Sequence, residues 1–198
     1  MKDISIRFGK AVEAFDQANS KDPNSETSGG KEYPKELLYA RRMSEWLDRF
    51  EPDASETLKL AARCQHIERW VIPREEYPMN RPGYLKWRNA LKRYHADRAG
   101  EILNKAGYDR EIIDRVRELV MKKGLKTDPE AQTLEDVVCL VFLQYYFEDF
   151  AEKHNEEKIV NILQKTWRKM SPRGQETALQ LNLSEPAHQM IEKALHGE

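Results

Sequence analysis

Three features of the chain predict an all-α fold. Apolar residues recur with helical spacing, no segment alternates apolar and polar side chains as a half-buried strand would, and Ser, Asp and Pro stand where helices would begin. The 198 residues suffice for one substantial core, so a single-domain helical bundle over 1–198 is expected.

The elements follow in order. Ile4, Phe8, Ala11, Val12 and Phe15 form an i, i+4, i+7 stripe on a first helix. Residues 21–33 are polar, Gly-rich and aperiodic, which predicts a flexible loop able to close over a site as a lid. Pro34 suits a helix start, and Leu37, Leu38, Ala40, Met43, Trp46, Leu47 and Phe50 supply the apolar face. Ser55 caps a helix expected to run through His66 and stop before Pro73, and Pro82 restarts one that continues past His95 to a stop at Gly107. Asp109 caps a shorter helix that ends at Gly124. Thr133 is expected to open the next, with Asp136 three residues on as a variant capping box. That helix is apolar on most sides, as a central bundle helix would be. Helices from about Asn155 to Leu195 are expected to complete the bundle (155–198).

Charge and composition exclude several classes. Lys plus Arg is 33 against 34 for Asp plus Glu, a net charge of -1, so a nucleic acid is an unlikely partner on overall charge. No apolar run reaches the roughly 20 residues of a membrane span, and the first residues lack a secretory h-region, so no membrane and a cytoplasmic location are expected. The two cysteines, Cys64 and Cys139, lie in apolar stretches and read as buried thiols of a reducing compartment.

The chemistry-bearing residues are few. Gln65, His66 and Glu68 lie close together after Leu60-Ala61-Ala62, His95 precedes Ala99-Gly100-Glu101-Ile102-Leu103, and Asp136 follows a separate break. Singly, each histidine reads as a hydrogen-bonded core group and Asp136 as a dipole-favoured helix residue. Jointly they form a site candidate. Arg88, Lys92 and His95 share one helix face, which could place cations beside an imidazole, and Arg42 would point near the same place.

In motif order, residues 34–145 resemble the HD-domain metal phosphohydrolases, and the whole chain resembles a family known only as a domain of unknown function. The first resemblance implies an HD-like core over 34–145 and hydrolysis of a nucleotide or other small phosphorylated metabolite. It also implies a divalent metal of unknown identity held by His66, His95 and Asp136. Glu68 would then assist catalysis, and Tyr39, Arg42, Gln65, Arg88 and Lys92 would bind substrate. The chain departs from that pattern at two places: Tyr39 stands where the first histidine would be, and Gln65-His66 replaces His-Asp. An amide oxygen is a weaker ligand than the histidine it replaces. Without a metal, the same groups could act as acid and base. The alternative is a non-catalytic helical ligand-binding or scaffold protein derived from such a hydrolase.

Two fragments also resemble class I aminoacyl-tRNA synthetase signatures, His66-Ile67-Glu68-Arg69 and Lys169-Met170-Ser171. Glu68 takes the place of a required glycine, Pro172 that of a lysine, and no parallel strands surround either fragment, so that reading is rejected.

Overall fold

The computed structural model describes residues 2–196, with side chains from 6 to 195, so Ile4 and His196 lie outside the described side chains. The chain is 71% helix and 4% strand, in agreement with the all-α expectation. It divides into two compact units, 1–123 and 124–198. Among the described residues no helix is long and apolar enough to cross a membrane.

The first unit holds α1 (Lys2–Asn19), β1 (Ser25–Ser28), β2 (Lys31–Pro34), α2 (Lys35–Phe50), α3 (Glu56–Arg63), α4 (Arg81–Lys105) and α5 (Arg110–Val120). Phe15, Met43, Leu47, Leu60, Leu91 and Leu119 are buried at its centre. Each such side chain contributes about 1.5–3 kcal/mol over leaving it in water. Caps set the helix starts: Ser55 accepts from the Leu58 amide, Asn80 from Gly83 and Asp109 from Ile112. Arg63 forms a bidentate pair with Asp16, at 2.8 and 2.6 Å, and so ties the end of α3 to α1.

The loop expected over 21–33 is corrected in part, because residues 25–34 form an antiparallel hairpin with Ser25 opposite Pro34. Its turn is Gly29-Gly30, both at positive φ, as a two-residue hairpin turn requires. The strands are polar on both faces, so no apolar alternation marks them in the sequence. Side chains of other elements hold them: Arg42 of α2 pairs with Glu26 and reaches the Ser28 hydroxyl at 3.4 Å. Asp22, just before the hairpin, accepts from the Glu36 amide at 2.9 Å and caps α2 from 14 residues away.

The second unit holds α6 (Pro129–Tyr145), α7 (Phe147–Glu152), α8 (Glu156–Trp167), α9 (Pro172–Leu179) and α10 (Glu185–His196). The expected start of α6 at Thr133 is corrected: Asp128 is the cap, accepting from the Glu130 and Ala131 amides, with Pro129 in the first turn. Asp136 therefore sits inside the helix, 2% exposed. One carboxylate oxygen accepts from the Ser171 amide at 2.8 Å, the other from the Ser171 hydroxyl at 2.5 Å, and Gln132 adds a bond at 3.1 Å. A side chain at Gly174 would meet this carboxylate at 2.7 Å, so glycine lets α9 descend onto it.

Asp136 thus anchors the N-terminus of α9, where a negative charge is favoured. Asp136→Ala should lose about 2–4 kcal/mol of stability, since three hydrogen bonds to a buried carboxylate disappear and the Ser171 amide is orphaned. Thermal or urea unfolding reads this; a variant as stable as the parent would exclude the anchoring role.

Candidate functional site

The helix expected to carry His66 onward to Pro73 is interrupted. α3 stops at Arg63, and Cys64–Glu68 continues as tight turns closed by Ile67 N–H to Cys64 O and Arg69 N–H to His66 O, both 3.1 Å. Glu68 has φ 49, a left-handed conformation that costs a non-glycine residue about 1–3 kcal/mol. Long-range bonds offset that cost. The Glu68 amide donates to Asn19 Oδ1 of α1 at 2.9 Å, and its carboxylate receives Tyr94 Oη at 2.8 Å and Arg98 Nε at 2.7 Å from α4. The turn is bolted to two helices, and His66 projects from its middle.

The His66 ring stacks on Tyr39 of α2 with centroids 4.2 Å apart, and its centroid lies 5.9 Å from that of His95. Its Nδ1 is 3.6 Å from Glu36 Oε2 and its Nε2 is 3.5 Å from Arg69 Nη1. Arg69 Nε in turn lies 3.8 Å from the other Glu36 oxygen, and its guanidinium covers Trp87 at 5.0 Å. His95 Nδ1 is 2.7 Å from the Ile67 carbonyl, which assigns the proton to Nδ1. Its Nε2 is therefore an acceptor; among the described residues it has no hydrogen-bond partner, and neither has Gln65 Oε1. His95 and Gln65 are buried, whereas the His66 side chain retains 19% exposure and can be reached.

Burial dominates the electrostatics. It raises the Glu36 carboxyl to about 7, against the opposing pull of Arg69 and with some help from Asp22. It lowers His95 to about 3; the Ile67 carbonyl opposes this, and Arg69 and Arg88 add to it. It also takes His66 well below the ordinary imidazole value, aided by Arg69, His95, Arg88 and Lys122. At pH 7 both imidazoles are neutral and Glu36 is near the midpoint of its titration.

The residues singled out in the sequence separate into distinct roles. His66, His95 and Tyr39 are brought together, with Gln65 in the same turn. Arg88 acts on both imidazoles through its field. Lys92 lies half-buried one turn beyond it on α4. The Glu68 carboxylate is taken up by Tyr94 and Arg98, so it positions His66 through the backbone. Arg42 serves the hairpin, and Asp136, in the second unit, serves α9. Among the described residues no three His, Cys, Asp or Glu side chains converge to hold a metal ion, so this donor set does not fit a three-ligand metal centre.

Glu36 and Arg69 complete the cluster and were not anticipated. Glu36 falls on the same i, i+3, i+7 stripe of α2 as Tyr39 and Met43, and an acid on an apolar stripe was the available signal. Arg69 offered none, because its position depends on the left-handed turn before it. Cys64 and Cys139 are buried thiols outside any disulfide, and burial pushes the Cys64 thiol up to about 12.

The chain belongs to the family described as domain of unknown function DUF4202, whose model matches residues 9–191. No curated protein and no solved structure matches it. Nothing in these comparisons links the chain to the HD-domain phosphohydrolases.

Glu36 has a folded value near 7, above the ordinary 4.5, so the folded state holds this proton more tightly than the unfolded chain does. Its stabilising contribution is complete below 4.5 and is lost as pH rises toward and through 7. Glu36→Gln should therefore gain about 2 kcal/mol relative to the parent between pH 5 and pH 8. Paired urea titrations across that range measure the gap, and a gap that stays flat would return Glu36 to an ordinary carboxylate.

Proposed function

We propose that in this DUF4202-family chain the Glu36–His66–His95 cluster takes the phosphate group of a nucleotide or other small phosphorylated metabolite and hydrolyses its ester or anhydride bond. The observation that carries this reading is a buried carboxyl titrating near 7, packed against a reachable neutral imidazole and beside Arg69, with Arg88 acting on that imidazole through its field. A base with that value is matched to its working pH. The two buried acceptors, His95 Nε2 and Gln65 Oε1, suit the hydroxyls of a sugar, while guanidinium groups suit phosphoryl oxygens.

In this scheme ionised Glu36 takes a proton from water, and the water oxygen bonds to phosphorus. The bond from phosphorus to the leaving oxygen breaks, and the proton held by Glu36 passes to that oxygen, giving an alcohol (or shorter phosphate) and inorganic phosphate. Arg69 and Arg88 balance the charge on the phosphoryl oxygens. His66 orients Glu36. No step passes through a metal, because the residues present do not form a metal set. The topology is read as HD-like with an altered site, and the setting as cytoplasmic, in keeping with two buried thiols outside any disulfide.

A non-catalytic ligand-binding or scaffold role is the second reading. It is favoured by the contacts that Glu36 already makes with Arg69 and His66, which satisfy its charge without a ligand.

Phosphate release from p-nitrophenyl phosphate, nucleotides and sugar phosphates tests the proposal, with and without a chelator. Turnover should survive the chelator, and kcat/KM should rise with pH through about 7. Glu36→Gln should reduce it about 100-fold or more, the usual contribution of a general base. Arg88→Ala should act mainly on KM. Phosphate binding without release from any substrate would leave the second reading, and turnover abolished by the chelator would return the reaction to a metal.

A further inference from the structure

The near-neutral total charge conceals a local excess. Between residues 69 and 98 stand eight Lys or Arg and three acids, in a chain whose net charge is -1. Four of the six large hydrophobic side chains that are exposed among the described residues fall in the same region: Val71, Met79, Tyr84 and Leu85. Arg69 and Arg88 serve the phosphate site, but the remaining cations and the exposed apolar side chains are not needed to hold a small phosphate ester.

Helical spacing orders these groups. Arg81, Tyr84, Arg88, Lys92 and His95 follow one another at intervals of three or four and so share one side of α4. The stripe is about 20 Å long at 1.5 Å per residue. It begins at an exposed cation and an aromatic ring and ends at the buried imidazole whose Nε2 has no partner. Among the described residues Arg81 and Arg88 form no ion pair. Tyr84 is 45% exposed, and the guanidinium of Arg74 lies 6.0 Å from its ring and 5.9 Å from that of Trp87. Planar groups are thus layered beside the cationic stripe, and these are the parts that hold single-stranded nucleic acid: cations that follow the phosphates and flat side chains on which bases stack.

We propose that this side of α4 binds a single-stranded nucleic acid whose terminal phosphate enters the imidazole cluster. The inference rests on the phosphate-site reading above and widens its substrate from a free nucleotide to a nucleotide at the end of a strand. A bilayer is a poorer occupant. An interfacial helix separates its apolar and basic faces, whereas here Tyr84 and Leu85 lie on the same side as Arg81 and Arg88.

Fluorescence anisotropy with dye-labelled 12-nucleotide single strands tests this on the full chain, each strand carrying a 5′-phosphate, a 3′-phosphate or neither. Binding should weaken with salt, and one phosphorylated form should bind best. Tyr84→Ala should weaken binding about tenfold through lost stacking. Arg81→Ser should lower the slope of log affinity against log salt by about 0.7. Both variants should keep the parent's affinity for inorganic phosphate, and Lys86→Ser with Arg93→Ser, on the opposite side of α4, should change strand binding far less. Inorganic phosphate bound without any strand, or capture by anionic phosphatidylserine vesicles but not by strands, overturns the inference and leaves the phosphate site standing. Strands bound equally with and without a terminal phosphate uphold the surface and overturn the site reading on which it rests. Strand binding that is unchanged in both Tyr84→Ala and Arg81→Ser overturns the surface itself.

Discussion

The left-handed turn at Glu68 is the constraint from which the rest of the cluster follows. α3 has already ended at Arg63, and the turn from Cys64 to Glu68 is what presents His66 to Glu36 and Tyr39. The turn persists because Asn19, Tyr94 and Arg98 bind its amide and carboxylate, and because His95 donates to the carbonyl just before it. Each bond is worth roughly 1 kcal/mol net, or more where a charge takes part, so together they exceed the cost of the strained backbone. A helix cannot supply this geometry by itself; two others, α1 and α4, impose it on the five residues that follow α3.

The same constraint sets the protonation states. Enclosing Glu36, two imidazoles and Arg69 removes water from groups that prefer it, and the cheapest response is to neutralise what can be neutralised. The imidazoles lose their protons, and Glu36 is held near the midpoint of its titration by Arg69. Buried ionic groups of this kind are weak contributors to stability, because desolvation cancels much of their attraction. Among the described residues two acceptors of this cluster, His95 Nε2 and Gln65 Oε1, have no hydrogen-bond partner, and these are the atoms the proposed ligand would meet. The element that buries His95 also brings Arg88, whose charge acts on both imidazoles.

Most of the helical framework was legible in the residue order. Ser55, Asp109 and Asn155 cap the helices that their positions predict, and Gly107 ends α4 at φ 86. Local rules decide such features. The hairpin of residues 25–34 was missed because its strands bury no alternating face, although Gly29-Gly30 is a turn signal in its own right. Asp128 outcompeted Thr133 as the cap of α6, since Pro129 can occupy only the first turn. Of the candidate site, His66, His95, Tyr39 and Arg88 were visible as residue types. Their grouping with Glu36 and Arg69 was not, because it depends on bonds spanning 26 to 49 positions. Asp136 was visible as an acid in an apolar helix, while its partner Ser171 lies 35 residues away.

The most direct measurement is the side-chain nitrogen spectrum of the histidines, recorded by NMR from pH 8 down to pH 4. His95 should remain neutral and in the Nδ1–H form across that range, His66 should take up its proton well below the ordinary 6.5, and the Nε2 resonance of His95 should move on addition of a phosphorylated ligand. If His66 and His95 instead gain protons near 6.5 as exposed imidazoles do, the enclosed neutral cluster does not exist, and no acid–base chemistry can be assigned to it.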